Sequence, residues 1–166
     1  MQPSADNVAL DYTSYLDLAA ASQVNTVRLW SWQSAPWMAA AASGRADMPY
    51  ARAAAAAAAD GKQPYDLKQF DQGYFDRVRQ AVIEADNRGL YAVVELFNSR
   101  SLESAGWQSQ PFAAGNNSNG VNGDLNGDGA GLELGSLADG ALTGYQDAYV
   151  RKVVATLQDL DNVLYQ

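Results

Sequence analysis

The chain alternates between helical and strand-like patterns, and this alternation limits the possible folds more than any other feature. Apolar residues recur at helical spacing in three segments, and each is followed by a short run rich in β-branched or aromatic residues. The helical segments are 11–22, about 73–87 and 145–161, and the strand segments are 26–30, 91–97 and 162–166. Strands that alternate with helices predict an α/β fold with a parallel sheet.

The links between these segments differ in length according to their direction. Helix-to-strand links are short, as at 87–90 and 159–161, whereas the links that follow the first two strands, 31–70 and 98–144, are long. In a parallel α/β architecture the links after strands all emerge at one edge of the sheet, where such folds hold their binding sites. The long links are therefore expected to form the functional face.

Composition excludes several classes of function. The chain has 166 residues and a formal net charge of −8, which argues against nucleic acid or an anionic membrane as its main partner. It has no Cys and no His, which excludes disulfides, thiolate chemistry, imidazole bases and most zinc sites. No apolar run reaches the ~18 residues that span a bilayer, and residues 1–6 do not resemble a signal peptide. A neutral ligand remains open.

All four tryptophans fall at a strand end or in the link that follows it. They are Trp30, Trp32, Trp37 and Trp107. Flat aromatic rings suit the apolar faces of sugars, and Trp offers a large surface with few rotamers. Two interpretations stay open: at least one of these rings contacts a carbohydrate, or the rings pack the long links onto the sheet.

Two charged residues lie inside strand segments. Arg28 is in the middle of the first strand, and Glu95 lies late in the second, on the face opposite Val94 and Leu96 if side chains alternate. A charge in a strand requires a partner or a wet cavity. Glu95 is either a ligand contact, an edge residue or half of a structural ion pair. For Arg28 a functional role is favoured, because an arginine at the catalytic end of a sheet can orient a carboxylate.

Asparagines supply a second set of candidate sugar contacts. Asn98 follows the second strand, and Asn116 and Asn117 open a turn-rich stretch that extends to Gly123. Their amides can hydrogen-bond to sugar hydroxyls, although shaping the loop is the commoner role of such residues.

The run 124–129, with Asp124, Asn126 and Asp128, matches the first half of an EF-hand-type calcium loop. The match then fails, because position twelve of the loop is Gly135 and the nearest acid, Glu133, comes two residues early. The cluster is therefore either a weak, structural calcium site or a turn built from Asp, Asn and Gly. No other cofactor is expected.

Several runs together resemble the cellulase-like glycoside hydrolases of the large retaining (β/α)₈-barrel clan. The runs are 25–32, 60–71, 74–79, 88–97 and 145–165. The resemblance implies a partial TIM barrel across residues 1–166, with roughly strands two to four, their helices and long post-strand loops. It implies that Arg28 matches an arginine near the nucleophile and that Trp30 and Trp32 line the sugar site. It also implies an extracellular or periplasmic location.

In that clan the acid/base Glu follows an Asn at the end of strand four, and the nucleophilic Glu ends strand seven. Both would lie past Gln166, so the resemblance implies a hydrolase of O-glycosidic bonds whose present segment is inactive alone. Such a segment would need the missing barrel half or would self-associate. Two alternatives remain: a non-catalytic, calcium-stabilised module that binds carbohydrate, and a degenerate product without activity.

Overall fold

A computed structural model of the protein describes residues 12–30, 48–54, 58, 62–137 and 139–166. The elements in chain order are α1 (Tyr12–Ala21), β1 (Thr26–Trp30), β2 (Tyr50–Arg52), β3 (Tyr65–Phe70), α2 (Gln72–Asp86), β4 (Tyr91–Glu95), α3 (Ser104–Trp107), α4 (Gly140–Leu157) and β5 (Val163–Tyr165). Single 3₁₀ turns at Ser99–Leu102 and Leu132–Gly135 flank α3. The predicted α/β class is confirmed. None of the helices in the described ranges has the length and hydrophobicity of a membrane span.

The three strands that the sequence predicts form one parallel sheet in the order β1-β4-β5. The register aligns Arg28 with Val93 and Val93 with Leu164. Residues aligned in this way share a face of the sheet, and their immediate neighbours share the opposite face. The order of the strands across this sheet therefore follows their order along the chain, and their carboxyl ends lie at the same edge.

The two faces of this sheet differ in burial. On one face Val27 and Ala92 are 2% and 0% exposed. On the other face Tyr91 and Leu164 are each 50% exposed, and Arg28 lies in the same set of positions. The helices therefore cover one face of the sheet and leave the face of Arg28 accessible.

Helix α2 shows why the sequence folds in this order. Phe75, Val82 and Ala85 recur at helical spacing and are completely buried, which gives the helix its apolar stripe. Asp71 caps the first turn, since its carboxylate accepts a hydrogen bond from the Tyr74 N–H. Gly89, with φ +68°, ends the helical run and turns the chain into β4. The link between α2 and β4 is short because the turn at Gly89 reverses the chain within a few residues.

Helix α4 begins at Gly140, five positions before the predicted start at Tyr145, and ends at Leu157. Asp139 causes the early start, because its carboxylate accepts hydrogen bonds from the N–H groups of Ala141 and Leu142. Those are the free donors of a first helical turn. The predicted start was late because the first turn, from Gly140 to Thr143, carries few of the apolar residues by which the pattern is recognised.

The segment 31–70 was predicted to be a long link, and its described part contains a hairpin instead. Strands β2 and β3 pair antiparallel, with an irregularity in register between Tyr50 and Ala51. Tyr65 and Leu67 alternate with more exposed residues and are 6% and 2% exposed. This period of two buries one face of β3 and explains why it forms a strand.

Aromatic rings join the hairpin to the helices. Tyr50 stacks on Phe70 with ring centroids 5.7 Å apart and meets the edge of Phe112 at the same distance. Phe70 in turn contacts Phe75 of α2 at 5.4 Å, and Phe75 lies 6.4 Å from Tyr149 of α4. Edge-to-face pairs of this kind add to the area that the rings bury. The hairpin is therefore held to the helical layer by a continuous apolar cluster.

Gly144→Ala is expected to stabilise the protein. Gly144 lies inside α4, and a Cβ at this position would meet nothing within 4 Å. Glycine in a helix costs roughly 0.5–1 kcal/mol relative to alanine, because it loses more backbone entropy on folding. The free energy of unfolding, measured by urea denaturation, should rise by about that amount. A decrease would show that the backbone of α4 at Gly144 is not regular helix.

Candidate functional site

Two of the candidate site residues, Arg28 and Glu95, form an ion pair at the carboxyl edge of the parallel sheet. Arg28 aligns with Val93, so Glu95 lies two residues further along β4 on the same face. The Arg28 Nη1 and Glu95 Oε2 atoms are 3.7 Å apart, a distance that makes an ion pair and exceeds an ordinary hydrogen bond. The Glu95 side chain is 16% exposed and the Arg28 side chain 47%. The structural ion pair that the sequence left open is therefore present, and Arg28 remains accessible.

The structure does not describe the side chains of three of the four tryptophans. Trp30 ends β1, and its backbone aligns with that of Glu95. The Trp30 side chain, together with Trp32 and Trp37, lies outside the described residues. The predicted sugar contacts of Trp30 and Trp32 stay predictions.

Trp107 is described, and it is 5% exposed. A Cβ added to Gly131 would lie 2.1–2.6 Å from three atoms of the indole, and one added to Gly123 would lie 2.9 Å from the ring. The ring is therefore packed against two glycine backbones of the same link. These contacts agree with the packing interpretation, and a sugar contact by Trp107 stays a prediction.

Two of the candidate asparagines hydrogen-bond to nearby backbone. The Asn98 carboxamide oxygen accepts a hydrogen bond from the Arg100 N–H at 3.0 Å and so caps the 3₁₀ turn at Ser99–Leu102. The Asn116 amide donates to the carbonyls of Gln108 and Gln110 at 2.7 and 2.9 Å. Asn98 is 9% and Asn116 3% exposed. Both side chains shape the link after β4, and sugar binding by Asn98 and Asn116 stays a prediction.

Asn117 organises the same link more extensively. Its amide donates to the carbonyls of Pro111 and Val121, both at 2.9 Å. Its oxygen accepts from the N–H groups of Asn119 and Val121 at 3.2 and 2.9 Å. A longer hydrogen bond of 3.4 Å to the Ala113 carbonyl brings the total to five, and with 8% of the residue exposed this one side chain satisfies backbone groups that no regular element pairs. Sugar binding by Asn117 is untested.

A seam, formed by residues 65–67 of β3 and 116–119 of the link, joins the hairpin to the long loop. The Tyr65 N–H donates to the Asn116 carbonyl at 2.8 Å, and the Ser118 N–H donates to the Tyr65 carbonyl at 2.9 Å. The Leu67 N–H donates to the Asn119 Oδ1 atom at 2.7 Å. The loop therefore continues the hairpin as a third, irregular strand, and the two long links form one unit.

The calcium-like run folds as a turn stabilised by its own side chains. The Asp124 carboxylate accepts hydrogen bonds from the N–H groups of Gly127, Asp128 and Gly129 at 2.7, 3.1 and 3.0 Å. Gly127 and Gly129 have φ of +77° and +84°, which favour glycine. The Asn126 amide donates to Asp128 Oδ2. Within the described ranges no three acidic residues group as metal ligands. Calcium binding by Asp124, Asn126 and Asp128 stays a prediction.

Comparisons with known proteins give no relative for this arrangement. No family model, no curated protein and no solved structure matches the chain. The resemblance to retaining glycoside hydrolases therefore depends on the sequence runs alone.

The hairpin and the contacts of its side chains were missed from the sequence. The Arg52 guanidinium lies 3.6 Å from the Tyr65 ring centroid, and its Nη1 donates to the Gln63 carbonyl at 2.6 Å. Burial raises the pKa of the Tyr50 hydroxyl far above its usual value, and the neighbouring Tyr74 and Tyr145 raise it further. The alternation of buried and exposed residues from Tyr65 to Phe70 was the available signal.

Proposed function

We propose that this chain forms part of a retaining glycoside hydrolase with a (β/α)₈ barrel and contributes strands two to four as β1, β4 and β5. The observation that carries the proposal is the Arg28–Glu95 pair at the carboxyl edge of a parallel sheet whose strands follow their chain order. Both long links begin at this edge. Parallel barrels place their active sites there.

The two faces of the sheet support the same proposal. A barrel is covered on its outside by helices, while its inward side chains fill the interior in layers. Val27 and Ala92 lie on the helix-covered face, and Arg28, Val93 and Leu164 lie in one row across the other face. In the proposed barrel these side chains point into the interior, where alternate strands contribute to the same layer. Leu164 is exposed in this chain, and in the complete barrel the remaining strands would cover it.

The charges at the edge suit a site that handles a carboxylate. Arg28 carries a permanent charge and a planar fork of donors that matches carboxylate geometry. Glu95 is the more buried partner and holds the guanidinium from one side. In the proposed enzyme Arg28 orients the nucleophilic carboxylate and favours its ionised form. Glu95 positions Arg28 and takes no part in bond cleavage.

The chemistry requires more than this chain carries. Retaining hydrolysis uses two carboxyl groups about 5–5.5 Å apart, one as nucleophile and the other first as acid and then as base. The proposal assigns neither role to residues 1–166. The isolated chain is therefore expected to show no turnover of aryl glycosides, soluble β-glucans or xylan. Turnover that disappeared in Glu95→Gln would contradict this assignment.

The test of the proposal is to read the coding DNA beyond Gln166 and to assay the protein that it encodes. We expect an in-frame Asn-Glu within a few codons and hydrolysis with retention of anomeric configuration. In that enzyme Arg28→Ala should lower kcat/KM. Arg151→Ala is the control, because Arg151 pairs with Asp147 on the outer surface of α4, and it should leave kcat/KM unchanged. A stop codon directly after Gln166 would overturn the proposal.

The second candidate is a non-catalytic module that binds carbohydrate by itself. It predicts retardation of the 166-residue chain in gels that contain soluble β-glucan or xylan, whereas the barrel proposal predicts none. The side chains of Trp107, Asn116 and Asn117 lie against their own link, which weighs against this candidate. Retardation that is lost in Arg28→Ala would favour it.

A further inference from the structure

The long link after β4 contains three Asn-Gly steps, at Asn119, Asn122 and Asn126. An asparagine followed by glycine can react with its own chain. The backbone nitrogen of the glycine attacks Cγ of the asparagine, a ring forms, and ammonia leaves. Glycine favours this reaction because it places no side chain beside the attacking nitrogen. The three steps differ in how the fold holds the two reacting groups.

Hydrogen bonding distinguishes the three attacking nitrogens. The Gly123 N–H donates to the Phe112 carbonyl at 2.8 Å, and the Gly127 N–H donates to Asp124 Oδ1 at 2.7 Å. Each of these bonds must break before the nitrogen can lose its proton and attack. In the part of the chain that the structure describes, the Gly120 N–H has no acceptor. Gly120 has φ +70°, and a Cβ there would meet nothing within 4 Å, so space is open around the step.

The side-chain amide of Asn119, which the Gly120 nitrogen would attack, is hydrogen-bonded to groups that assist the attack. Its Oδ1 atom accepts the Leu67 N–H at 2.7 Å, and its Nδ2 atom donates to Asp66 Oδ1 at 3.2 Å. Attack at Cγ places negative charge on Oδ1, and a backbone N–H directed at that oxygen stabilises the charge. Asn126 lacks such a donor from outside its own turn, since its Oδ1 accepts only from Asp128 among the described contacts.

We propose that Asn119–Gly120 is a site of spontaneous deamidation, and that the reaction opens the seam between the loop and the hairpin. The Gly120 nitrogen bonds to Asn119 Cγ and loses its proton, while the bond from Cγ to Nδ2 breaks and releases ammonia. Water then opens the succinimide at either carbonyl. The products are aspartate and isoaspartate at this position.

Both products, aspartate and isoaspartate, destabilise the contact between the loop and β3. The Asn119 amide that donated to Asp66 is replaced by a carboxylate, so two negative charges meet where one hydrogen bond of 3.2 Å was made. Like charges at such a distance repel, and neither group can donate to the other. Isoaspartate also lengthens the backbone between Ser118 and Gly120. The loop should then separate from β3 at Leu67.

The direct test is to incubate the folded chain in mildly alkaline buffer and follow the three steps by peptide mass mapping. The same protein in urea is the reference, because there all three steps are released from the fold. We expect folding to slow conversion at Asn122 and Asn126 several-fold relative to urea, and to leave Asn119 as the main product site. Folding that protects Asn119 as strongly as the other two would overturn the proposal.

The consequence for the seam has its own test, which does not depend on reaction rate. Asn119→Asp reproduces one product, and hydrogen exchange at the Leu67 amide should become several-fold faster in this variant. Adding Asp66→Asn restores a donor opposite the new carboxylate and should slow that exchange again. Asn122→Asp is the matched control and should leave the Leu67 amide unchanged. Equal exchange in the wild type and in Asn119→Asp would contradict opening of the seam.

Discussion

Replacing Asn117 by alanine is expected to lower the free energy of unfolding by about 3 kcal/mol or more. The substitution removes an amide that donates to the carbonyls of Pro111 and Val121 and an oxygen that accepts from Asn119 and Val121. Each buried polar group left without a partner costs about 1–3 kcal/mol. Several such groups lose their partner together, because Asn117 is 8% exposed.

Asn126→Ala is the matched control for this experiment. Asn126 is exposed, and the hydrogen bonds described for its side chain go to its near neighbour Asp128. Surface substitutions of this kind usually change stability by less than about 0.5 kcal/mol. Denaturation in urea measures both variants. If Asn117→Ala kept the wild-type stability and lost affinity for a glycan, Asn117 would be a ligand contact and the structural assignment would be wrong.

The parallel sheet was predictable from the sequence because its signals are local. The apolar stripe of α2 repeats at helical spacing, and β1 and β4 are rich in β-branched and apolar residues. Alternation along β4 also gave the face of Glu95. To predict that Arg28 and Glu95 form an ion pair, one must also know the register between β1 and β4. A single sequence does not state that register, so the ion pair was only one of several open interpretations.

The hairpin and the seam were not predictable in the same way. Strand β2 has three residues and an irregular register, so it is too short to show a period. The seam joins residues far apart in sequence, as in the hydrogen bond between Leu67 and Asn119. The composition of residues 116–123 indicated turns, and Ser118 and Asn119 do lie in one, but Asn117 forms a β-bridge with Tyr65. Composition does not reveal which group accepts a hydrogen bond from each asparagine side chain. That acceptor decides whether the side chain contacts a ligand or the protein's own backbone.

Gly131→Ala is expected to destabilise the protein by about 3 kcal/mol, at the upper end of the usual range for overpacked sites. The new Cβ would lie 2.1–2.6 Å from three atoms of the Trp107 ring. Trp107 is 5% exposed, and a Cβ built on Gly123 would lie 2.9 Å from the same ring. The ring therefore cannot yield by a small rotation, and the backbone of the link must move.

Gly135→Ala separates this steric effect from a general effect of glycine. A Cβ at Gly135 would meet nothing within 4 Å, so its replacement should leave stability nearly unchanged. Denaturation of Trp107→Ala and of the double variant Trp107→Ala/Gly131→Ala then completes a cycle. Because the clash needs both groups, the double variant should lose less stability than the sum of the single losses. Additive losses would mean that Trp107 does not pack on Gly131, and its ring would again be a candidate for stacking on a sugar.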